Sequence, residues 1–213
     1  MLIDIHTHTQ RYSPCSILKP EDLVKKALDL NLDGVVLTEH GFLWDEDDIL
    51  KLKEETEASD LLILRGQEIT CYTETGVFHG DLLVFGFDGL IDERMTANEV
   101  IKKVHQEGGV AVAAHPYRSG YGFGDDVFNL DIDGIEVFHP HHYALDIKKA
   151  DHARKTLDIA GLGGSDAHDL QYVGYYLTSF SGEIKTEEDL VREIRAKTCR
   201  AVTLEEALQK EKK

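Results

Sequence analysis

The chain carries eleven histidines, and two of them, His6 and His8, stand one residue apart in MLIDIHTHTQ with Asp4 two positions upstream. In a strand, residues i and i+2 share a face, so both imidazoles can reach one cation from the same side. Taken alone, the pair is equally at home on a surface strand. Further along come His40 in LTEH, Glu68 in GQEIT, His79 in FHGDLLVFG, His115 in AHPYR, and Asp166 with His168 in GSDAH. Any one of these is ordinary as a core or loop residue. Six histidines and two carboxylates recurring at the same end of successive units are not ordinary, and a polynuclear metal site requires such a set. Mixed nitrogen and oxygen donors suit zinc, manganese or iron, and a carboxylate can bridge two ions.

The elements that must position these residues are legible as apolar runs alternating with helical patterns. Strand-like runs at 2–5, 34–40 and 61–69 are separated by helical segments at 20–32 and 46–58. A run at 78–87, a helix over 96–108, and runs at 109–116 and 134–140 follow. A helix over 144–161, runs at 162–168 and 173–180, and a helix near 187–197 complete the pattern. Pro20 suits a first helical turn, Thr96 with Glu99 has capping-box spacing, and Gly34, Gly108 and Gly161 fit helix exits. Runs that are apolar throughout, such as GVVL and VAVAA, suit a sheet covered on both faces, and alternation with helices favours parallel pairing.

An open doubly wound sheet and a closed barrel both satisfy that pattern. The positions of His40, Glu68, His115, Glu136 and the Asp166/His168 pair favour the barrel. Each falls at or just after the C-terminal end of a predicted strand, and a barrel gathers all such ends around one mouth. The expected fold is α/β, a distorted TIM-like (β/α)7 barrel with the metal site at the C-terminal ends of the strands. At 213 residues the expectation is one domain over 1–213.

In order and spacing, DIHTHT, LTEH, Glu68, HGDLLVFG, AHP and GSDAH resemble the successive motifs of the PHP (polymerase and histidinol phosphatase) superfamily over roughly residues 1–180. GIEVFHPHH further resembles its stand-alone phosphoesterase branch. The resemblance implies that His6, His8, Glu68 and Asp166 hold one metal ion, with Glu68 bridging to a second held by His79 and His115. Members often hold a third ion between a ligand shortly after the HxH and the histidines matching His40 and His168. Here the chain departs from the pattern, because the position five after His8 is Ser13, with Cys15 close by. The expected cofactors are two or three divalent ions, zinc, manganese or iron.

The implied chemistry is attack on phosphorus by a hydroxide bridging two cations, which forms at neutral pH because the metals depress the water's pKa. Asp166, His168, Arg118 and His139 are the expected catalytic residues. Arg118, just after AHP, is placed to clamp a phosphoryl oxygen, and Arg11 is a second candidate. His139 ends a strand in FHPHH as a substrate contact, a proton donor or a supplementary ligand, whereas His141 and His142 read as exposed loop residues. SGYGFG precedes no helix, so it reads as a loop over the mouth whose Tyr117, Tyr121 and Phe123 could stack on a base or sugar. WDEDDIL reads as an acid-rich first helical turn.

Lys+Arg 23 against Asp+Glu 40 gives a net charge of -17, which excludes non-specific nucleic-acid binding over most of the surface. The expected partner is a small phosphorylated substrate, with no stable nucleic-acid binding. Cys15, Cys71 and Cys199 are too scattered for a disulfide framework, and no run has the length of a membrane span. A cytoplasmic setting without membrane attachment is expected. Competing functions are a histidinol-phosphatase-like enzyme, an amidohydrolase acting on C–N bonds, and a non-catalytic metal-stabilised scaffold. Amidohydrolase barrels usually carry a metal-bridging lysine at a strand end, and the strand-end motifs here supply none.

Overall fold

The structure, a computed structural model, describes residues 1–210 apart from 90 and 93. The chain opens with β1 (Leu2–Thr7), α1 (Pro20–Asp29), β2 (Gly34–His40), α2 (Glu46–Glu55), β3 (Leu62–Tyr72), β4 (Phe78–Phe85) and α3 (Ala97–Gln106). It continues with β5 (Val110–Ala113), β6 (Gly134–Phe138), α4 (Ala144–Leu157), β7 (Ala160–Gly163), β8 (Tyr176–Phe180), α5 (Glu187–Arg195), β9 (Cys199–Thr203) and α6 (Leu204–Lys210). One sheet contains every strand, in the order β7-β6-β5-β4-β3-β2-β1-β8-β9. Pairing is parallel through β1–β2–β3 and again through β5–β6–β7, while β4 and β8 run antiparallel to both of their neighbours.

The sheet curls until its β7 edge meets β8. There the Thr178 hydroxyl donates to the Gly163 carbonyl at 2.8 Å and accepts the Gly163 N–H at 3.0 Å, so one side chain replaces a missing strand ladder. The distorted α/β barrel is therefore present, but its strand count differs from seven. The five residues between β3 and β4 are too few for a crossover helix, which forces an antiparallel hairpin. β9 escapes a reading by apolar runs because only Val202 of its five residues is buried.

Helix covers act as expected at α3, where Thr96 and Glu99 form a reciprocal capping box and Gly108 follows at φ +87. α4 ends earlier than its pattern suggests. Asp158 takes the left-handed conformation (φ 52), and Gly161 lies inside β7 rather than at a helix exit. Outside the barrel, α1 packs Leu23, Val24 and Ala27 and α3 packs Val100, Ile101 and Val104, all buried.

A bulge in β1 sets the direction of the HxH pair. Asp4 pairs with Val35, but Thr7 pairs with Leu37, so β1 holds one residue more than β2 over this interval. The extra residue shifts the side-chain phase and turns His6 and His8 to the face shared by Val36, His40, Leu64 and Glu68. Among the described residues, no helix is long and apolar enough to cross a membrane.

Candidate metal centre

His40 is the last residue of β2, His139 follows β6, and His115, Asp166 and His168 lie within a few residues after β5 and β7. β3 runs on past the mouth into its hairpin, so it supplies Glu68 from its middle, in register with His40. The Nε2 atoms of His6 and His8 converge to 3.0 Å. Glu68 Oε2 stands 3.2 Å and Asp166 Oδ1 3.3 Å from His8 Nε2, and Asp166 Oδ1 is 3.4 Å from His6 Nε2. Four donors arranged tetrahedrally at zinc-ligand distances are roughly 3.3 Å apart, so this spacing fits a divalent cation.

Four further groups adjoin the first, and two of them contain His139, with His6 and Glu136 and with His115 and Asp166. Ligand atoms of Glu68, Asp81 and His115 lie within 4.8 Å of one another, as do those of His8, His40 and His168. Glu68 turns Oε1 toward His115 Nε2 at 3.0 Å and Oε2 toward His40 Nδ1 at 3.1 Å. Its two oxygens thus face different donor groups, as a bridging carboxylate must. The mixed imidazole and carboxylate set fits zinc, manganese or iron.

Burial opposes charge here, yet the groups charge one another. His6 is buried, but Glu136, Glu68 and Asp166 outweigh the desolvation and push its pKa well above the usual imidazole range. His8 is raised to about 9, against its burial, by Asp166 and Glu68. Despite their own burial, Glu68 and Asp166 are held well below the usual carboxylate range, with His6 the largest favourable influence on each. Asp81 behaves oppositely, since burial and then the charge on Glu68 raise it to about 6.

The loops bearing these groups are tightly constrained. His115 (φ 29) and Asp166 (φ 47) both take left-handed backbone conformations, which cost of order 1–3 kcal/mol and must be held by their surroundings. The His115 N–H donates to Glu136 Oε2 at 2.8 Å. Asp4 is not part of the cluster; it accepts the Ser165 and Gly174 N–H groups at 3.1 and 3.0 Å and so pins the GSDAH loop. Only glycine fits at 164, because a Cβ there would lie 2.5 Å from the His6 Cβ and 2.6 Å from Glu136 Oε1.

The structure brings together His6, His8, His40, Glu68, His115, Asp166 and His168, but it sets His79 apart. His79 Nε2 pairs with Asp126 at 2.9 Å, and its ring meets Phe123 edge-on. β4 enters from the rim of the mouth, so the residue level with the cluster lies two positions deeper, and that residue is Asp81. The strand period of two, applied to HGD, could have found it. Arg118 Nη1 stands 3.3 Å from Asp166 Oδ2 and its guanidinium lies over Tyr121, whereas Arg11 pairs with Asp48 outside the cluster.

His139 is fully buried, and burial lowers its pKa to about 4. Its Nδ1 accepts the His141 N–H at 3.2 Å, which places the ring proton on Nε2, 3.2 Å from Asp166 Oδ2. His141 is exposed as expected, but His142 is buried beneath it, with Nδ1 3.3 Å from the Val137 carbonyl. The mouth is a cavity of about 400 Å³ whose wall includes Cys15, His40, Arg118, Tyr121, His141 and Tyr172.

A profile of the PHP domain matches residues 4–149, and one described as PHP-associated matches residues 146–199. The chain belongs to the PHP family. This PHP protein is 29% identical over 153 residues to an uncharacterized protein of Methanocaldococcus jannaschii, a match covering 67% of this chain and 84% of that one. It is 33% identical over 73 residues to the phosphoribosyl 1,2-cyclic phosphate 1,2-diphosphodiesterase of Eggerthella lenta, covering 34% of this chain and 28% of the relative. A two-domain Bacteroides vulgatus protein described as containing a predicted PHP-like metal-dependent phosphoesterase superposes with a TM-score of 0.74 at 17% identity. That alignment covers 95% of the PHP chain and 64% of the Bacteroides chain, and it bears on the fold.

Proposed function

We propose that this protein is a metal-dependent phosphoesterase that hydrolyses a small phosphate ester. The observation that carries the reading is Glu68, whose two oxygens serve two donor groups at once, with the Arg118 guanidinium beside them on the cavity wall. In this reading His6, His8, Glu68 and Asp166 would hold one divalent ion, Glu68, Asp81 and His115 a second, and His40 and His168 a third. Bound ions of this kind supply a water that ionises near neutral pH and positive charge opposite phosphoryl oxygens. Arg118, braced by Asp166 and Tyr121, orients the phosphoryl group by hydrogen bonding. His139 donates its Nε2 proton to Asp166 and so acts as a positioning residue. His141, on the cavity wall and outside the three ligand sets, is the imidazole available to protonate the departing oxygen.

The cavity volume and the net charge of -17 support a small substrate over a polynucleotide. The unpaired state of all three cysteines supports a reducing, cytoplasmic setting. The test is a substrate panel with zinc- or manganese-loaded protein: mononucleotides, sugar phosphates, a ribose cyclic phosphate, an oligonucleotide, and amide and lactone controls. Turnover is expected on small phosphate esters alone. Hydrolysis of the amides or lactones with no ester turnover would replace this reading with the amidohydrolase one.

A further inference from the structure

Behind His8, a hydroxyl and a carboxylate lie between the end of β1 and β2. Glu39 and His40 are consecutive on β2, so their side chains leave opposite faces of the strand, and Glu39 belongs to none of the donor groups among the described residues. Glu39 is wholly buried and accepts from four donors. Trp44 Nε1–H reaches Oε1 at 3.0 Å, and the Thr9 N–H lies 3.1 and 3.0 Å from the two oxygens. The Thr9 hydroxyl donates to Oε1 and the Ser13 hydroxyl to Oε2. The turn that brings Ser13 here is closed by its own N–H, which donates to the Thr9 carbonyl at 3.0 Å.

The Ser13 hydroxyl has one proton and two lone pairs, and all three are engaged. Glu39 takes the proton, because a carboxylate can only accept. The His40 N–H, 3.3 Å away, fills one lone pair, and His8 Nδ1, also 3.3 Å away, meets the other. Only a donor satisfies a lone pair, so His8 Nδ1 carries a proton. Ser13 keeps no lone pair for a cation, although the family resemblance places a ligand of a third ion in this stretch. His8 Nε2 is then the nitrogen left to a cation, and it faces Glu68 and Asp166 at 3.2 and 3.3 Å.

We propose that Ser13 and Glu39 are positioning residues for the metal centre: the carboxylate orients the hydroxyl, the hydroxyl holds the His8 proton on Nδ1, and Nε2 is thereby presented to the cation shared with His6, Glu68 and Asp166. The inference rests on the metal-dependent reading above and deepens it. Ligation replaces the Nε2–H bond of His8 with a nitrogen–metal bond and releases that proton to solvent, with no redox partner. Glu39→Gln tests the direction of the relay at constant volume. Its amide NH2 must lie on the Ser13 side, because Trp44 Nε1–H on the other side can only donate. The amide then donates to the Ser13 oxygen, and the hydroxyl turns its own proton against the His8 Nδ1–H.

The test uses the full chain, labelled with nitrogen-15 in histidine, stripped with chelator and reloaded with zinc. Long-range proton–nitrogen correlations, assigned through bonds to the backbone, read the His8 and His6 rings, and competition with a chromogenic chelator reads zinc affinity. In the wild type, His8 is expected to bind zinc through Nε2 and to show an Nδ1 proton slow to exchange with water. Ser13→Ala and Glu39→Gln are each expected to speed that exchange and to bind zinc about 10–100-fold more weakly, while the Nδ1 proton of His6 stays as it was. A His8 ligated through Nδ1 in the wild type overturns the relay without recourse to a variant. Unchanged His8 signals and zinc affinity in both variants overturn it too, and leave the metal-dependent reading standing. Failure of the wild type to bind zinc overturns both.

Discussion

Glu136 Oε1 stands 3.1 Å from His6 Nδ1, and both side chains are wholly buried. A carboxylate there holds a ring proton on Nδ1, so that Nε2, which faces Glu68 and Asp166, is the nitrogen that would give up its proton to a bound cation. The second oxygen of the same carboxylate accepts the His115 N–H and so braces a residue with positive φ. Favourable interaction with His6 outweighs burial and brings the Glu136 pKa down to about 2. One side chain on β6 thus orients both His6 and His115.

Glu136→Gln keeps the volume but can accept only one of those two N–H groups. The expected outcome is a folded protein whose affinity for zinc is about 10–100-fold weaker, read by competition with a chromogenic chelator. Unchanged affinity would remove Glu136 from this role.

Asp81 and His79 distinguish the observed arrangement from the one expected from the motif. Asp81→Asn should lower metal content and metal-dependent turnover, while His79→Ala should leave both near wild type, as measured by elemental analysis after dialysis. The reverse pattern would restore His79 as the ligand.

The barrel and most of the mouth were legible because strand-end positions report where a barrel gathers its side chains. The direction of β4 was not legible, since a short apolar run reads the same in either orientation, and the family resemblance names His79 alone on that strand. The bulge in β1 was hidden too. The HxH pair is plain in the sequence, but only the register with β2 shows why His6 and His8 face inward. Glu136 stood out by position, yet its bonds to His6 and to the His115 backbone join three separate strands and leave no local trace.

Arg118 should matter through its planar fork as well as its charge. Arg118→Lys keeps the cation but loses paired N–H geometry, and kcat/KM for a phosphomonoester is expected to fall about 10–100-fold, equivalent to about 1.5–3 kcal/mol. Steady-state kinetics on the metal-loaded variant checks this, and an unchanged kcat/KM would count against phosphate contact.

His139 gives the metal-free protein an acid sensitivity of known sign. Burial lowers its pKa from 6.5 to about 4, so the unfolded chain binds the proton first. Its contribution is intact above the unfolded value of 6.5 and is lost as pH falls toward the folded value of about 4. Urea melts across that window should show the stability of the wild type falling relative to His139→Asn as pH drops, by a few kcal/mol at most. A difference independent of pH would contradict a buried, neutral His139.

The most direct test of the central claim is hydrolysis of p-nitrophenyl phosphate and bis-p-nitrophenyl phosphate by wild type and Asp166→Ala, each stripped of metal and reloaded with manganese or zinc. Metal-dependent turnover by the wild type that the variant loses is the predicted result. Turnover by stripped wild type, or undiminished turnover by Asp166→Ala, would contradict the account.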